Sequence, residues 1–261
     1  MVGSRSMAGT VAITGGASGI GAATAQMVCA RGGHVAVLDL NQNLGEALVR
    51  DLGSHARFVR TDVLDENSVR AAHQHAEREL PPITGLVNCA GIAQIPKPIE
   101  DYGVDEWSRV VASHLNGTYI ACREIAAAMA RRGAGAVVNL ASVLSFRSGP
   151  VLAYGPAKAA IVNLTEALAV QWARKGVRVN AVAPGWTDTP FLQPKERKEP
   201  RDLTPILNAT PLGRLMRPEE IAEVIYFLLS PAAAVITGAT IPCDGGVIAA
   251  AGWGPYGGIP K

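Results

Sequence analysis

The sequence predicts one α/β domain in which a doubly wound parallel sheet carries helices on both faces. Short apolar, β-branched runs alternate with longer helical patterns about six times, and this order indicates parallel strands joined by crossover helices. The predicted strands are almost continuously apolar, as strands covered on both faces are. No linker divides the 261 residues, and a single α/β domain can use them all.

The individual elements follow from the local pattern. Each predicted strand is a short apolar run, and each predicted helix is a longer segment with one apolar face. The strands are Val11–Thr14, His34–Leu38, Arg57–Arg60, Ile83–Asn88, Ala136–Ala141, Val177–Val182 and Thr240–Pro242. The helices are Ala17–Arg31, Asn43–Leu52, Glu66–Glu79, Val104–Arg131, Ala153–Lys175 and Glu219–Leu229. Gly32 and Gly33 end the first helix, and Pro218 begins the last.

Three segments depart from this alternation. We expect residues 1–8 to be a tail, of which Met1–Ser6 could derive from an expression vector. Within the domain, residues 9–250, the stretch Thr187–Leu212 is long for a connection and rich in proline and charge, so we predict a substrate lid. Its charged run, 195–201, is expected to be solvated surface. In the tail, 251–261, we expect Trp253 and Tyr256 to dock on a neighbouring subunit; a frayed terminus is the alternative.

The composition excludes several classes of protein. Apolar residues make up 48% and charged residues 18%, which is typical of a globular chain. The net charge of +2 is too small to favour a nucleic acid or an anionic membrane as partner. The start lacks the apolar run of a signal peptide, and no run is long enough to span a bilayer.

The cysteines and histidines are scattered. Cys29, Cys89, Cys122 and Cys243 form no C-x-x-C pair and are expected to be reduced thiols, which suits the cytoplasm. No histidine lies in a ligand cluster with cysteine, so we expect no metal.

The first strand runs into a glycine-rich turn, Thr14-Gly-Gly-Ala-Ser-Gly-Ile-Gly21, that a helix follows. Glycines there let the backbone approach a pyrophosphate, to which the helix N-terminus presents its N–H groups. The spacing is G-x-x-x-G-x-G rather than the general G-x-G-x-x-G. Any tight turn between a strand and a helix favours glycine, so this motif alone leaves the choice open.

Asp39 closes the second strand, eighteen residues after Gly21. An acidic residue about 20 residues on binds the adenosine ribose 2′-hydroxyl in βαβ dinucleotide sites. A carboxylate would repel a 2′-phosphate, and neither arginine nor lysine lies in the glycine turn or beside Asp39. We therefore predict NAD(H) rather than NADP(H). The alternative is that Asp39 only caps the next turn.

Tyr154 and Lys158 lie four residues apart at the start of a predicted helix, on one face. A nearby ammonium favours the phenolate and is expected to lower the phenol's pKa from about 10, as general acid/base catalysis requires. Ser142 ends the preceding strand, where α/β sheets bind ligands, and its hydroxyl could hold a carbonyl oxygen. Y-x-x-x-K alone arises often by chance; together with Ser142 and the glycine turn it is specific.

These motifs, in this order, resemble the short-chain dehydrogenase/reductase family from about Gly9 to Val247. The matching pieces are Thr14-Gly15-x-x-x-Gly19-Ile20-Gly21, Asp62-Val63, Asn88-Cys89-Ala90-Gly91, Asn116, Ser142, Tyr154-x-x-x-Lys158, Pro184-Gly185 and Asp244-Gly245-Gly246. The resemblance implies a Rossmann-type fold with about seven parallel strands.

The resemblance also implies catalytic roles. Tyr154 would protonate the carbonyl oxygen or deprotonate the alcohol, while Ser142 positions that oxygen. Lys158 would bind the nicotinamide ribose and lower the tyrosine pKa. Asn116 would hold a water that connects Lys158 to solvent as a proton relay. The alternative for Asn116 is a polar helix residue bonded to the backbone.

The implied NAD(H) site draws on several segments. Its residues are Gly15, Ser18, Gly19 and Ile20 in the turn, Asp39 at the ribose, Asp62 and Val63 at the adenine, Asn88, Ala90 and Gly91 along the cofactor, and Pro184, Gly185 and Thr187 with Tyr154 and Lys158 at the nicotinamide. Asp62 could instead be only a turn residue.

Some residues near these motifs stay ambiguous. Cys89 stands where the family commonly has asparagine; exposed it would add oxidant sensitivity, but a small buried apolar residue is favoured. Ser145 and Ser148 are expected to be solvated loop serines rather than substrate contacts. His114 could reach the substrate region, although a structural hydrogen bond is favoured.

The leading hypothesis is hydride transfer between a nicotinamide and a secondary alcohol or ketone. A 3-oxoacyl-thioester reductase acting on a carrier protein is the main alternative; many such enzymes use NADPH, against which Asp39 argues. A nucleotide-sugar epimerase usually has a larger C-terminal region, and a non-catalytic NAD-binding sensor would not need the acid/base set.

Two further expectations concern the pocket and the assembly. Val143, Leu144, Trp186 and Phe191 predict a pocket that takes a hydrophobic substrate. The long helices over 104–131 and 153–175 are rich in alanine and leucine. In the family that this sequence resembles, the faces of these helices pair between subunits, so we expect a homotetramer.

Overall fold

A seven-stranded parallel sheet runs through the computed structural model, which describes residues 9–194 and 199–259. The strands are β1 (Thr10–Thr14), β2 (His34–Asp39), β3 (Ala56–Arg60), β4 (Ile83–Asn88), β5 (Gly135–Leu140), β6 (Val177–Pro184) and β7 (Thr240–Cys243). Their order is β3-β2-β1-β4-β5-β6-β7, and every pair is parallel.

Helices cover both faces of this sheet. They are α1 (Gly19–Ala30), α2 (Gln42–Leu52), α3 (Glu66–Glu79), α4 (Val104–Val111), α5 (Gly117–Ala121), α6 (Ala127–Arg132), α7 (Tyr154–Trp172), α8 (Thr204–Asn208) and α9 (Pro218–Leu229). One hydrophobic core joins α1, α2 and α9 to the sheet, and a second joins α3, α5, α6 and α7 to the other face. The predicted doubly wound parallel sheet with helices on both faces is therefore confirmed.

The periodicity of β1 shows how both cores arise from one strand. Val11 and Ile13 belong to one core and Ala12 to the other, because successive side chains of a strand point to opposite faces. With both faces covered, every residue of β1 is buried, which explains the unbroken apolar runs in the sequence.

The order of the strands locates the candidate site. β1 lies between β2 and β4, so the chain winds outward in one direction up to β3 and in the other from β4 onward. At such a switch point the turns after neighbouring strands diverge and leave a crevice at their carboxyl ends. The glycine turn follows β1 and the Cys89–Gly91 stretch follows β4, so both face this crevice.

The long helix predicted over 104–131 is not a continuous α-helix. π-helical turns at Ala112–Asn116 and Cys122–Ala126 separate α4, α5 and α6. Such turns insert an extra residue and often lie at functional sites. The sequence over 104–131 contains no proline and gave no sign of them.

Smaller differences occur at the ends of elements. α1 begins at Gly19 rather than Ala17, α7 ends at Trp172 before a 3₁₀ turn, and β6 continues to Pro184. The lid contains the short helix α8, which was not predicted. The tail forms two 3₁₀ turns, and Trp253 is half exposed. Its docking on a neighbour stays a prediction.

Three predictions concern residues beyond the described ranges. Residues 1–8, most of the charged run 195–201, and residues 260–261 lie outside what the structure describes, as does the side chain of Tyr256.

A buried polar chain ties the centre of the sheet to α7. The Asn88 Nδ2 donates to Asn139 Oδ1 over 2.8 Å, and the Asn139 Nδ2 donates to Thr165 Oγ1 over 2.9 Å. Buried amides of this kind fix one arrangement because each lost partner costs about 1–3 kcal/mol. The chain therefore fixes the helix that begins at Tyr154 relative to β4 and β5.

Candidate active site

A cavity of about 790 Å³ occupies the crevice at the carboxyl ends of the strands. It receives residues from the turns that follow β1, β2, β3, β4, β5 and β6, and from the predicted lid. Most predicted site residues line it: Gly15, Ser18, Gly19, Ile20, Asp39, Asp62, Val63, Ala90, Gly91, Ser142, Tyr154, Lys158, Pro184, Gly185 and Thr187. The fold thus brings together segments that are up to 172 residues apart in the sequence.

The glycine turn is shaped for close approach. Gly15 has a φ of +63°, and a Cβ there would lie 2.8 Å from the Ala90 Cα, so no larger residue fits. The helix α1 that follows has no side-chain cap and no acidic residue in its first turn. Its first N–H groups therefore suit a pyrophosphate, which needs donors and positive potential.

Asp39 lies at the other side of this turn. Its Oδ2 accepts from the Ala17 N–H over 3.0 Å, and its Oδ1 accepts from the Asn41 N–H over 2.9 Å. The carboxylate thus stabilises the turn, as the alternative interpretation held, and also lines the cavity. Each oxygen keeps a second lone pair with which it can accept from a ribose hydroxyl.

Lys158 is buried at the part of the cavity that Ser142 and Tyr154 also line. Its Nζ donates to the carbonyl of Leu140, the last residue of β5, over 2.5 Å, and lies 5.6 Å from the centre of the Tyr154 ring. Burial lowers the pKa of Lys158 to about 8, because desolvation penalises the ammonium. The lysine is therefore near its titration point in mildly alkaline solution.

The phenol of Tyr154 does not show the predicted decrease in pKa. Burial raises its pKa, and the hydrogen bond with Ser142 opposes the increase. Desolvation of the phenolate outweighs this hydrogen bond, and the Lys158 ammonium is itself bonded to the Leu140 carbonyl. The phenol is therefore protonated at neutral pH and can act as a proton donor.

Ser142 and Ser145 form one small hydrogen-bonded turn after β5. The Ser142 Oγ accepts from the Leu144 N–H over 3.2 Å, and the Ser145 Oγ accepts from the Ser142 N–H over 3.2 Å. The Ser145 hydroxyl donates to the carbonyl of Lys158 over 2.7 Å. Ser145 is thus a structural tie between this turn and α7. Ser148 is exposed at the cavity.

Asn116 is not at this site, and its predicted placement was wrong. It is exposed and does not line the cavity, whereas His114 is 2% exposed and does. Two residues along a helical segment place the side chains on different sides, so His114 faces inward and Asn116 faces outward. The stripe of buried positions Val110, His114, Gly117 and Ala121 has helical spacing, and this signal in the sequence could have identified the inward residue.

Asn88 also differs from its prediction. It is 3% exposed, donates to Asn139 and does not line the cavity. As the last residue of β4 it points into the sheet, while Ala90 and Gly91 reach the crevice. Asn88 therefore supports the site through the buried polar chain.

Cys89 is a protonated thiol. It packs against the core beneath α1 and α9, although part of it faces the cavity. Burial raises its pKa to about 12. Because the thiolate is the reactive form, this supports the interpretation of Cys89 as a small apolar residue and not as an oxidant-sensitive one.

Aromatic side chains surround the Tyr154 ring. Its centroid lies 5.0 Å from that of His114, at an interplanar angle of 84°, and 5.8 Å from that of Phe191. Trp186 lies beneath the Arg201 guanidinium at 5.3 Å. The four residues predicted to make the pocket apolar, Val143, Leu144, Trp186 and Phe191, all line the cavity.

Gln94 was missed by the sequence analysis. It lines the cavity, is 8% exposed, and its Oε1 accepts from the backbone N–H groups of Ala153 and Tyr154. A glutamine in a loop carries no local signal for a contact 60 residues away.

Comparison with known proteins agrees with this geometry. The family model described as enoyl-(acyl carrier protein) reductase, from the short-chain alcohol-dehydrogenase group, matches residues 15–248. The chain belongs to the short-chain dehydrogenase/reductase family. It is 41% identical over 241 residues to cis-4-hydroxycyclohexanecarboxylate dehydrogenase from Sinomonas cyclohexanicum, over 91% of this chain and 95% of that protein.

Two solved structures superpose closely on this chain. One described as ribose-5-phosphate isomerase from Brucella melitensis 16M has a TM-score of 0.92 and 39% identity, over 97% of this chain and 98% of that one. The 3-ketoacyl-(acyl-carrier-protein) reductase from Brucella melitensis, solved with NADH, has a TM-score of 0.86 and 29% identity, over 92% and 98%. The chain is thus an oxidoreductase that acts on CH–OH groups with a nicotinamide cofactor.

The described residues, 9–194 and 199–259, contain no group of three or more histidine, cysteine or acidic side chains placed to hold a metal ion. None of their helices is long and apolar enough to cross a membrane.

The pKa of Lys158 predicts a pH dependence of stability. Between pH 8 and 10 the folded protein progressively loses this proton, while the unfolded chain, with a lysine pKa of about 10.4, largely retains it. Unfolding then takes up a proton, so the contribution of Lys158 to the free energy of unfolding increases with pH. We expect the free energy of unfolding of wild type, minus that of Lys158→Met, to increase from pH 7.5 to 10 in urea titrations.

The exposed Lys175 supplies the control for this measurement. Lys175→Met should differ from wild type by a constant amount over the same range. A difference between wild type and Lys158→Met that stays flat with pH would contradict the buried, easily deprotonated lysine.

Proposed function

We propose that the protein is an NAD(H)-dependent dehydrogenase that interconverts a secondary alcohol and a ketone, with Tyr154 as general acid/base. The observation that carries this proposal is the meeting of Ser142, Tyr154 and Lys158 at one end of a cavity whose other end holds the glycine turn and Asp39. A protonated phenol beside a hydroxyl and a buried ammonium is a proton-transfer site, which a binding module would not need.

The cavity residues fit a dinucleotide. Gly15 leaves room for the backbone to approach a pyrophosphate, and the uncapped N–H groups of α1 supply donors for it. When bound, the nicotinamide supplies or accepts the hydride at the substrate carbon. Ala90, Gly91, Pro184, Gly185 and Thr187 would enclose the cofactor between β4 and β6.

Proton transfer is assigned to the substrate oxygen. In reduction, the Tyr154 phenol donates its proton to the carbonyl oxygen as that oxygen gains charge, and in oxidation the phenolate takes the alcohol proton. The Ser142 hydroxyl, bonded to the same phenol, holds this oxygen in place. Lys158 stabilises the phenolate electrostatically and donates to a ribose hydroxyl.

Asp39 supports the choice of NAD(H) over NADP(H). Its carboxylate accepts from the ribose 2′-hydroxyl and repels a 2′-phosphate. Leu38 and Leu40, the chain neighbours of Asp39, line the cavity and cannot neutralise a phosphate, and Arg60, which pairs with Asp39 from β3, does not line it.

The pocket favours a hydrophobic secondary alcohol or ketone. Phe191, Trp186, Val143 and Leu144 line it beside the Tyr154 ring. The relative named for cis-4-hydroxycyclohexanecarboxylate acts on a ring alcohol, and an apolar wall of this kind suits the carbon skeleton of such a substrate.

Reduction of a 3-oxoacyl thioester on a carrier protein is the second candidate. The exposed Arg109 and Arg147 line the cavity, where an acidic carrier protein would be attracted. The related reductase was solved with NADH, so the nicotinamide alone does not separate the two candidates. Turnover of an acyl thioester would.

Replacement of Tyr154 tests the catalytic assignment. Tyr154→Phe removes the hydroxyl and keeps the ring, so we expect turnover to fall by about 10²–10⁴. NADH binding, measured by quenching of tryptophan fluorescence, should stay within a few-fold. Near-normal turnover in this variant would refute the role of Tyr154.

Replacement of Asp39 tests the cofactor assignment. Asp39→Ala should narrow the preference for NADH over NADPH, as the ratio of kcat/KM values, by about tenfold or more, since a charged hydrogen bond is lost. Asp39→Asn keeps an oxygen for the Ala17 N–H but no charge, so it isolates the repulsion of the phosphate. The remote, exposed Asp51→Ala is the matched control, and an unchanged ratio in both Asp39 variants would contradict the assignment.

We also propose that the protein is cytoplasmic and forms a homotetramer. Tyr119 on α5 and Val170 on α7 are 51% and 83% exposed, and large apolar side chains in this setting favour a subunit interface. Light scattering at micromolar concentration should give four times the mass of the chain. A monomer would refute the tetramer.

A further inference from the structure

The first turn of the catalytic helix is capped from another part of the chain. α7 begins at Tyr154, and the residue before it, Ala153, has no side chain that could accept from the free N–H groups. The Gln94 Oε1 accepts from the Ala153 N–H over 3.1 Å and from the Tyr154 N–H over 2.8 Å. Since only an oxygen can accept from both, the orientation of the amide is fixed.

The segment that carries Gln94 is held at a second point. The His114 Nε2–H donates to the Ile92 carbonyl over 2.9 Å. The imidazole contacts Gly91, where a Cβ would lie 2.1 Å from its Cε1, and presents its edge to the Tyr154 ring. Residues 91–94 thus connect the turn that lines the cofactor region to the backbone of Tyr154.

Stability alone does not explain a glutamine at position 94. Its Nε2 is buried without a partner in the described part of the chain, and a buried donor without a partner costs about 1–3 kcal/mol. An unpartnered buried group beside a reactive side chain points to a role in the site, because proteins tolerate such costs mainly there.

We propose that Gln94 is a positioning residue for Tyr154: it caps α7 from across the cavity and sets the phenol relative to the Ala90–Gly91 turn. His114 supports it by fixing Ile92. Neither residue moves the proton, and the inference rests on the proposed role of Tyr154. The same contact would couple any shift of the 91–94 segment to the position of the phenol.

Two variants separate positioning from folding. Gln94→Met has similar volume and no acceptor for the two N–H groups, so the phenol loses its fixed position and kcat should fall roughly tenfold. The Kd for NADH should stay within twofold. Asp65→Ala removes the cap of α3, outside the cavity; it should lower the melting temperature similarly and leave kcat within twofold.

Gln94→Glu provides a measurement that a merely structural role of Gln94 would not change, the pH profile of kcat. The carboxylate can still accept from both N–H groups, which keep it ionised, so kcat at its optimum should recover to within about threefold of wild type. Its charge disfavours the phenolate, so the pH profile of kcat should shift toward higher pH. A Gln94→Met enzyme with normal kcat, or a Gln94→Glu enzyme with the wild-type pH profile, would overturn the proposal.

Hydrogen exchange keeps this test separate from the proposed function. If wild type turned over no alcohol or ketone, the proposed function would be wrong. The exchange rates of the Ala153 and Tyr154 amide protons would still show whether Gln94 caps α7. Mass spectrometry of peptides that contain these amides should show faster exchange in Gln94→Met than in wild type and Gln94→Glu. Equal rates in all three would refute the cap itself.

Discussion

The active end of the cavity depends on one buried charge, the Lys158 ammonium that donates to the last carbonyl of β5. Leu140 can accept this bond only if α7 packs across the end of β5, and the neighbouring Ser145 hydroxyl holds the Lys158 carbonyl from the same turn. A buried ammonium is costly, and its pKa of about 8 records that cost. Because the hydrogen bond to Leu140 holds the buried ammonium at the end of β5, Tyr154, one helical turn earlier, is held there as well.

Two other sets of hydrogen bonds hold α7 in the position that this contact needs. The chain of amides from Asn88 through Asn139 to Thr165 fixes α7 against the middle of the sheet, two turns beyond Lys158. Gln94 fixes the other end of the same segment at the helix start. The phenol is thus set from strands β4 and β5 and from the loop after β4, whereas the lid supplies the Phe191 ring and not the reactive groups. Under the proposed function, substrate choice can then vary with residues 187–212 without disturbing proton transfer.

The sequence predicted what depends on local pattern. Apolar runs buried on both faces gave the sheet, and the spacings of Asp39 from the glycine turn and of Lys158 from Tyr154 placed those residues on the cavity. The predicted placement of Asn116 was wrong because it followed the residue type, whereas the residue on the buried helical stripe is His114. The sign of the change in the pKa of Tyr154 depends on burial, which spacing does not contain. The Gln94 cap joins residues 60 apart and had no local signal.

The most direct test of the account is nicotinamide oxidation, followed by absorbance, against ketones, cyclic diketones, keto esters and acyl-thioester mimics, each with NADH and with NADPH. The account predicts turnover with NADH on hydrophobic ketones and little with NADPH, since Asp39 repels the extra phosphate. Turnover only with NADPH and only on acyl thioesters would contradict both the cofactor and the substrate assigned here.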